Sequence, residues 1–474
     1  MPEDRTGGYV TTAARRKTIS VYIQGPYNMM TLIPSEGGPI PVNTLGFQNG
    51  NEVLPAKRAF SDRLYQLSRT LDDQIVRSKV NLEELTGKAY EEAVRTLLTL
   101  PDGDRELALY DLKKIGLGLR QQLHPDLAAA LASLGVMKQP LQDEPEITFI
   151  NFNQVPVLWD MLYEEEQPFE KTDWQHFWGF KLPLTHWDAA KHPPNRLKLK
   201  RGLFSVIDQK LSFAASEVLL LEQILTGGLC HRSLCDELKA KARDALRNEI
   251  AETPEEWLAE HGPESWLREF IENLNKDIKD RNLITVNTRE WKDRAINAIF
   301  SDQSFTYELI HFACHCEPDE VSELLSELKI HIAGEEISLT VASMPAARRS
   351  DQPGPLVFLN ACGTGQQGPS AEPPGFPNDW ISKREAIAVV ATLCPVPDLF
   401  AHAFARKFYE TLFCLRKDPQ AKEAPPVPQA PVVERYLAQA LLETRRYFME
   451  KCGNPLGLAY VLYAVKDACV ESQN

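Results

Sequence analysis

Two runs in this chain, Leu356–Ala361 and residues 386–393, are apolar at nearly every position over the length of a strand. A strand that faces water on one side alternates polar and apolar residues. A strand buried on both faces has no such need, and unbroken apolar runs of this length mark the middle of a parallel sheet covered by helices. The pair therefore points to an α/β fold, mostly parallel, with helices on both faces.

The rest of the pattern agrees. Strand signals stand at residues 18–24, 29–33, 147–152, 202–207, 283–286 and 305–315. Residues 328–332 and 337–341 flank Gly334 and read as a β-hairpin. Between these runs lie helical stretches. Phe60, Leu64, Leu67, Leu71 and Ile75 recur at helical spacing, and residues 97–130 continue as helix broken at Pro101-Asp102-Gly103. Residues 212–226 form a helix closed by Gly227-Gly228. Asn287 with Glu290 makes a capping box for a helix reaching Phe300. Residues 432–451 read as an amphipathic helix behind a proline-rich surface loop at 424–431. This divides the chain into residues 1–145, a β-hairpin followed by helices, and residues 146–474, the main α/β domain with a charged helical insertion at about 230–280.

The formal net charge is −14, and a phosphate backbone or an anionic membrane surface selects cationic proteins. Direct nucleic-acid binding and membrane association are therefore not expected. No stretch approaches the roughly eighteen apolar residues of a spanning helix, and the first residues lack a secretory apolar core. Nine cysteines at irregular spacing do not form a disulfide framework. The expected compartment is a reducing cytoplasm, where a thiol can act as nucleophile.

Two strand ends carry the chemistry. The run through His311-Phe312-Ala313-Cys314-His315 passes into Cys316-Glu317-Pro318, and the run ending Asn360-Ala361-Cys362 passes into Gly363-Thr364-Gly365. In each a strand is expected to stop at a reactive residue, and open α/β sheets bind ligands outside the carboxyl ends of their strands. An imidazole lowers the pKa of a neighbouring thiol, whose thiolate attacks a carbonyl while the imidazolium protonates the leaving group. Strand alternation sends His311 and His315 to one face and Cys314 and Cys316 to the other, which spoils four-fold convergence on a metal. His311, further into the sheet, reads as a core histidine. Neither a metal nor an organic cofactor is expected.

The same residues, His311 to His315 followed by Val357 to Gly365, resemble the paired signature of CHAT domains, caspase-like peptidases of the caspase–separase superfamily. The separation of His315 and Cys362 is similar to the roughly 50 residues of caspases. Residues 155–162 resemble the family's Pro-Trp-Glu-Leu element, residues 386–398 its strand and turn after the nucleophile loop, and residues 453–464 its closing strand. The resemblance implies a caspase-like fold with Cys362 as nucleophile, His315 as base, and the backbone N–H groups of Cys316 and Cys362 as the oxyanion hole. It implies that the loop through Gly363, Thr364 and Gly365 lines the substrate cleft. One position departs from the pattern, since Cys316 stands where glycine is common. The expected activity is a cysteine endopeptidase acting through a thioester acyl-enzyme in regulated proteolysis, such as prokaryotic defence or cell death. A gasdermin-like protein is one substrate class this admits, with a regulatory protein partner. A catalytically idle interaction module and a thiol acyltransferase are the rival readings.

Overall fold

The fold is that of a computed structural model, which describes residues 18–24, 29–34, 39–45, 53–78, 87–133, 146–151, 159–164, 173–188, 195–198, 203–208, 211–214, 308–317, 326–332, 335–340, 354–361, 375–413 and 433–472, with Val80, Leu82 and Glu217 besides. Three expected features, the helical insertion at 230–280, the strand at 283–286 and the capping box at Asn287, lie outside the described residues, as does the proline-rich loop at 424–431.

The chain opens with β1 (Thr18–Gln24), β2 (Met29–Pro34) and β3 (Ile40–Leu45), an antiparallel meander. Helices α1 (Val53–Ser78), α2 (Gly87–Leu98), α3 (Asp102–Gln122) and α4 (Pro125–Ser133) follow. Pro101 caps α3, because a proline lacks the N–H that a continuing helix would need. Next come β4 (Glu146–Asn151), the short helix α5 (Trp178–Lys181), β5 (Leu184–Asp188), β6 (Arg196–Lys198) and β7 (Leu203–Ile207). The last part of the chain supplies β8 (Leu309–Glu317), β9 (Glu327–Ile332), β10 (Glu335–Thr340), β11 (Leu356–Ala361), α6 (Gly375–Ser382), β12 (Ala388–Thr392) and α7 (Asp398–Phe413). It closes with β13 (Val433–Tyr436), α8 (Leu437–Cys452), β14 (Tyr460–Ala464) and β15 (Cys469–Ser472).

One mixed sheet runs through the molecule in the order β10-β9-β8-β11-β12-β14-β5-β4-β1-β2-β3, with β7 also paired to β8. It consists of two parallel blocks. In the first, β7, β8, β11 and β12 share one direction; in the second, β14, β5, β4 and β1 share the other. They meet at an antiparallel seam between β12 and β14. The remaining antiparallel pairings are the two edges, β1-β2-β3 at one and β8-β9-β10 at the other. Every residue of β11 and β12 is buried, as their composition requires. The hairpin expected around Gly334 is β9–β10.

Three elements differ from expectation. β8 does not stop at His315 but continues to Glu317, because beyond the end of β7 its last residues pair with β9, His315 opposite Lys329 and Cys316 opposite Leu328. Val433–Tyr436 is a strand rather than the first turn of a helix, since it finds a partner in β15. Gly375–Ser382, which begins inside the Gly- and Pro-rich run 363–379 expected as a loop, forms helix α6.

Arg445 on α8 ties the second block together. Its guanidinium donates to the carbonyls of Gly179 and Tyr460 and lies 2.7 Å from Asp160, which is also 2.6 Å from His186 on β5. Burial alone would raise the Asp160 carboxyl, but Arg445 and His186 outweigh it and hold that group well below the ordinary carboxylate range.

Candidate functional site

The parallel register of β7, β8 and β11 brings three strand ends to one edge. Ile207 pairs with Ala313, and Ala361 with Cys314. Asp208, immediately after β7, donates its N–H to the Ala313 carbonyl at 2.7 Å, carrying the ladder one step further. Its side chain is fully buried, and Oδ2 lies 3.9 Å from Nε2 of His315, whose side chain is 44% exposed. His315 is thus an imidazole open to the edge on one side and backed by a buried carboxylate on the other.

Cys362, Gly363, Thr364 and Gly365 lie outside the described residues, so the second strand end is known up to Ala361. That residue is tightly held. Its carbonyl accepts the Thr392 hydroxyl at 2.6 Å, a bond buried between β11 and the end of β12.

Alternation along β8 separates its side chains as the sequence predicts. His315 is partly exposed, while Cys314 and Cys316 are buried on the opposite face and belong to the hydrophobic core. The side chain at 316, where glycine would be common, is therefore packed into the core and does not crowd the edge on which His315 stands.

A polar network lies beneath the site. Glu217, buried, accepts Asn360 Nδ2 at 2.8 Å and sits 2.7 Å from His311 Nε2, within ion-pair distance though out of line for a hydrogen bond. The other nitrogen of His311 is 3.3 Å from the Tyr409 hydroxyl, and Asn360 Oδ1 accepts the Tyr460 hydroxyl at 2.8 Å. All five side chains are buried, so their mutual contacts are what make their loss of water tolerable. One carboxylate thereby touches both β8 and β11, four residues before His315 and two before Cys362. The Tyr409 hydroxyl is pushed well above its ordinary value by burial and by the Glu217 carboxylate.

A third carboxyl group stands near. Asp398, at the start of α7, accepts the Phe213 N–H at 3.0 Å. Burial pushes it up to about 6 against the opposing pull of that N–H, and the carboxylates of Glu217 and Asp208 add to the rise. Among the described residues no group of three or more His, Cys, Asp or Glu side chains is arranged to hold a metal ion. No helix among them is long and apolar enough to cross a membrane.

Sequence reasoning singled out His315 but not Asp208, Glu217 or Thr392, which the structure places around the same strand ends. Asp208 had a usable signal, since it is a charged residue directly after a strand run, in the same position relative to β7 that Cys362 holds relative to β11. Glu217 and Thr392 had none, because their partners lie far away in sequence.

Comparison with known proteins gives the following. A search among curated proteins returns no match. Among solved structures, the chain is similar to the separase of the Saccharomyces cerevisiae separase–securin complex, with a TM-score of 0.31 and 10% identity over 89% of this chain. The aligned part spans only 23% of that separase chain. It is also similar to the complex of Porphyromonas gingivalis RgpB pro- and mature domains, with a TM-score of 0.38 and 10% identity over 82% of this chain and 79% of that one. The family model of the CHAT domain matches residues 244–424, a span holding β8, β11 and β12 together with both His315 and Cys362. Residues 244–424 of this chain are thus similar to a CHAT domain.

Proposed function

We propose that this chain is a cysteine endopeptidase in which Cys362 is the nucleophile and His315 its base. The observation that carries the reading is the register of β8 and β11. Ala361 stands opposite Cys314 on a parallel neighbour, so one further residue along each strand is Cys362 on one and His315 on the other. Adjacent strands lie about 4.8 Å apart, which is the separation an imidazole needs to reach a thiol on its neighbour.

The chemistry follows from that pairing. The Cys362 thiolate attacks the scissile carbonyl carbon, and the developing oxyanion takes hydrogen bonds from the backbone N–H groups of Cys316 and Cys362. The C–N bond breaks as the His315 imidazolium gives its proton to the departing amine, leaving a thioester. Water then attacks the thioester, His315 takes its proton, and the thiolate leaves with the carboxylic acid product released. The loop through Gly363, Thr364 and Gly365 forms a wall of the cleft. Burial of the Cys316 side chain away from His315 supports turnover despite the missing glycine, because any residue but proline supplies the N–H.

The substrate in this reading is a protein, a gasdermin-like effector being one candidate, and cutting is switched by a regulatory protein partner in a defence or cell-death setting. The test is cleavage of a proteome-derived peptide library with new amino termini read by mass spectrometry. Wild type should make cuts that Cys362→Ala and His315→Ala both abolish. Cuts that survive in Cys362→Ala would sink the proposal.

A further inference from the structure

Asp208 has no task in the mechanism above, yet it is fully buried at the third strand end of the same edge. A carboxylate removed from water is costly unless something nearby uses its charge. Its backbone is fixed by the bond from its N–H to Ala313, two residues before His315 and on the same strand, so the two side chains keep a constant relation. The atom of His315 that it faces is Nε2, at 3.9 Å. That is ion-pair distance and too long for a direct hydrogen bond, the geometry expected of a site that tightens when substrate is bound.

We propose that Asp208 is the positioning residue of His315, completing a Cys–His–Asp relay in which the carboxylate selects the ring orientation and supports the imidazolium. The proposal rests on the peptidase reading and adds a third member to it. With Nε2 turned to Asp208, the neutral ring keeps its proton on that nitrogen and offers Nδ1 to the thiol; the second nitrogen of a histidine is routinely set by what the first one faces. When the thiol passes its proton to Nδ1, the resulting imidazolium has the Asp208 carboxylate beside it. Among the described residues Glu217 and Asp398 also stand near, Glu217 beside Asn360 and His311, and Asp398 accepting the Phe213 N–H.

The experiment is the rate at which iodoacetamide alkylates Cys362 in the full chain, followed by peptide mass spectrometry from about pH 5 to about pH 9. It needs neither substrate nor activator. His315→Ala should lose the fast reaction below about pH 7.5, and Asp208→Asn should slow it about ten-fold there and shift the profile toward that of His315→Ala. Asp208→Glu should recover most of the rate, which a purely structural role would not predict, and Asp398→Asn should follow wild type. An Asp208→Asn protein with the wild-type profile overturns the proposal while leaving the dyad standing, whether or not that variant alters the residue accepted before the cut. A His315→Ala protein with the wild-type profile overturns the dyad itself, a distinguishable result. Should Asp208→Asn fail to fold, nitrogen NMR of histidine-labelled wild type decides, with His315 assigned against His315→Ala. A neutral ring protonated on Nε2 supports the relay, and one protonated on Nδ1 overturns it.

Discussion

The Thr392 hydroxyl donates to the Ala361 carbonyl at 2.6 Å, one residue ahead of Cys362. Both residues are buried, so the bond holds the carbonyl at the end of β11 in place. Replacing Thr392 by valine keeps the shape and removes that donor. The expected loss is about 1–3 kcal/mol of stability, measured by denaturant unfolding. On the proposed reading of Cys362 as nucleophile, a fall in kcat that exceeds the rise in KM should accompany it.

Glu217 is the contact shared by the two strands of the site, through His311 on β8 and Asn360 on β11. Glu217→Ala removes the acceptor of the buried Asn360 amide and the carboxylate beside His311, and the expected cost is about 1–3 kcal/mol. Glu217→Gln, which can still accept from Asn360, should cost clearly less. Equal loss of stability in the two variants would mean that the packing of the side chain matters rather than its oxygen.

Asp398 gives the fold a pH dependence of definite sign. Its folded pKa of about 6 lies above the ordinary 3.8, so its contribution to stability is fully present below about pH 4 and is lost as pH rises through about 6. Each unit corresponds to about 1.4 kcal/mol, and since the group is only partly buried the effect at neutral pH should be about 1–2 kcal/mol. Asp398→Asn should therefore have a higher Tm than wild type at pH ~7.5 and the same Tm near pH ~4, as thermal scans across that range would show.

Gly354 stands just before β11, and a Cβ placed on it would come within 1.8 Å of the Glu385 carbonyl oxygen. No side-chain rotation relieves a clash with backbone. Gly354→Ala must push β11 away from the turn that precedes β12, at an expected cost of about 1–3 kcal/mol. Because β11 delivers Cys362, the Cys362 alkylation rate should fall together with stability.

The centre of the sheet was legible because β11 and β12 are strands buried on both faces, and that state leaves little choice of residue. The β9–β10 hairpin was legible from its spacing around Gly334. β5 was not: five residues in Leu-Thr-His-Trp-Asp, behind Pro183, carry too little pattern to separate a strand from a loop, and only its neighbours β14 and β4 make it one. β13 was absorbed into the helix after it, since four residues adjoining a helical period look like its first turn. In the site the same contrast holds. His315 announced itself through a strand and the residues around it, whereas Glu217 and Thr392 act through single bonds to Asn360 and Ala361, 143 and 31 residues away, which no local pattern encodes.

The seam between β12 and β14 has a consequence for how the molecule comes into being. The strand that joins the two blocks is drawn from Tyr460–Ala464, later in the chain than every other strand of the large sheet. During synthesis β14 is therefore the last strand of the large sheet to leave the ribosome, and Tyr460, whose hydroxyl donates to Asn360, arrives with it. A nascent chain stopped short of Tyr460 lacks the strand that joins β12 to β5, and Asn360 on β11 lacks the Tyr460 hydroxyl. Assembly of the large sheet thus waits on nearly the last of the described residues, a built-in delay between translation and the finished fold.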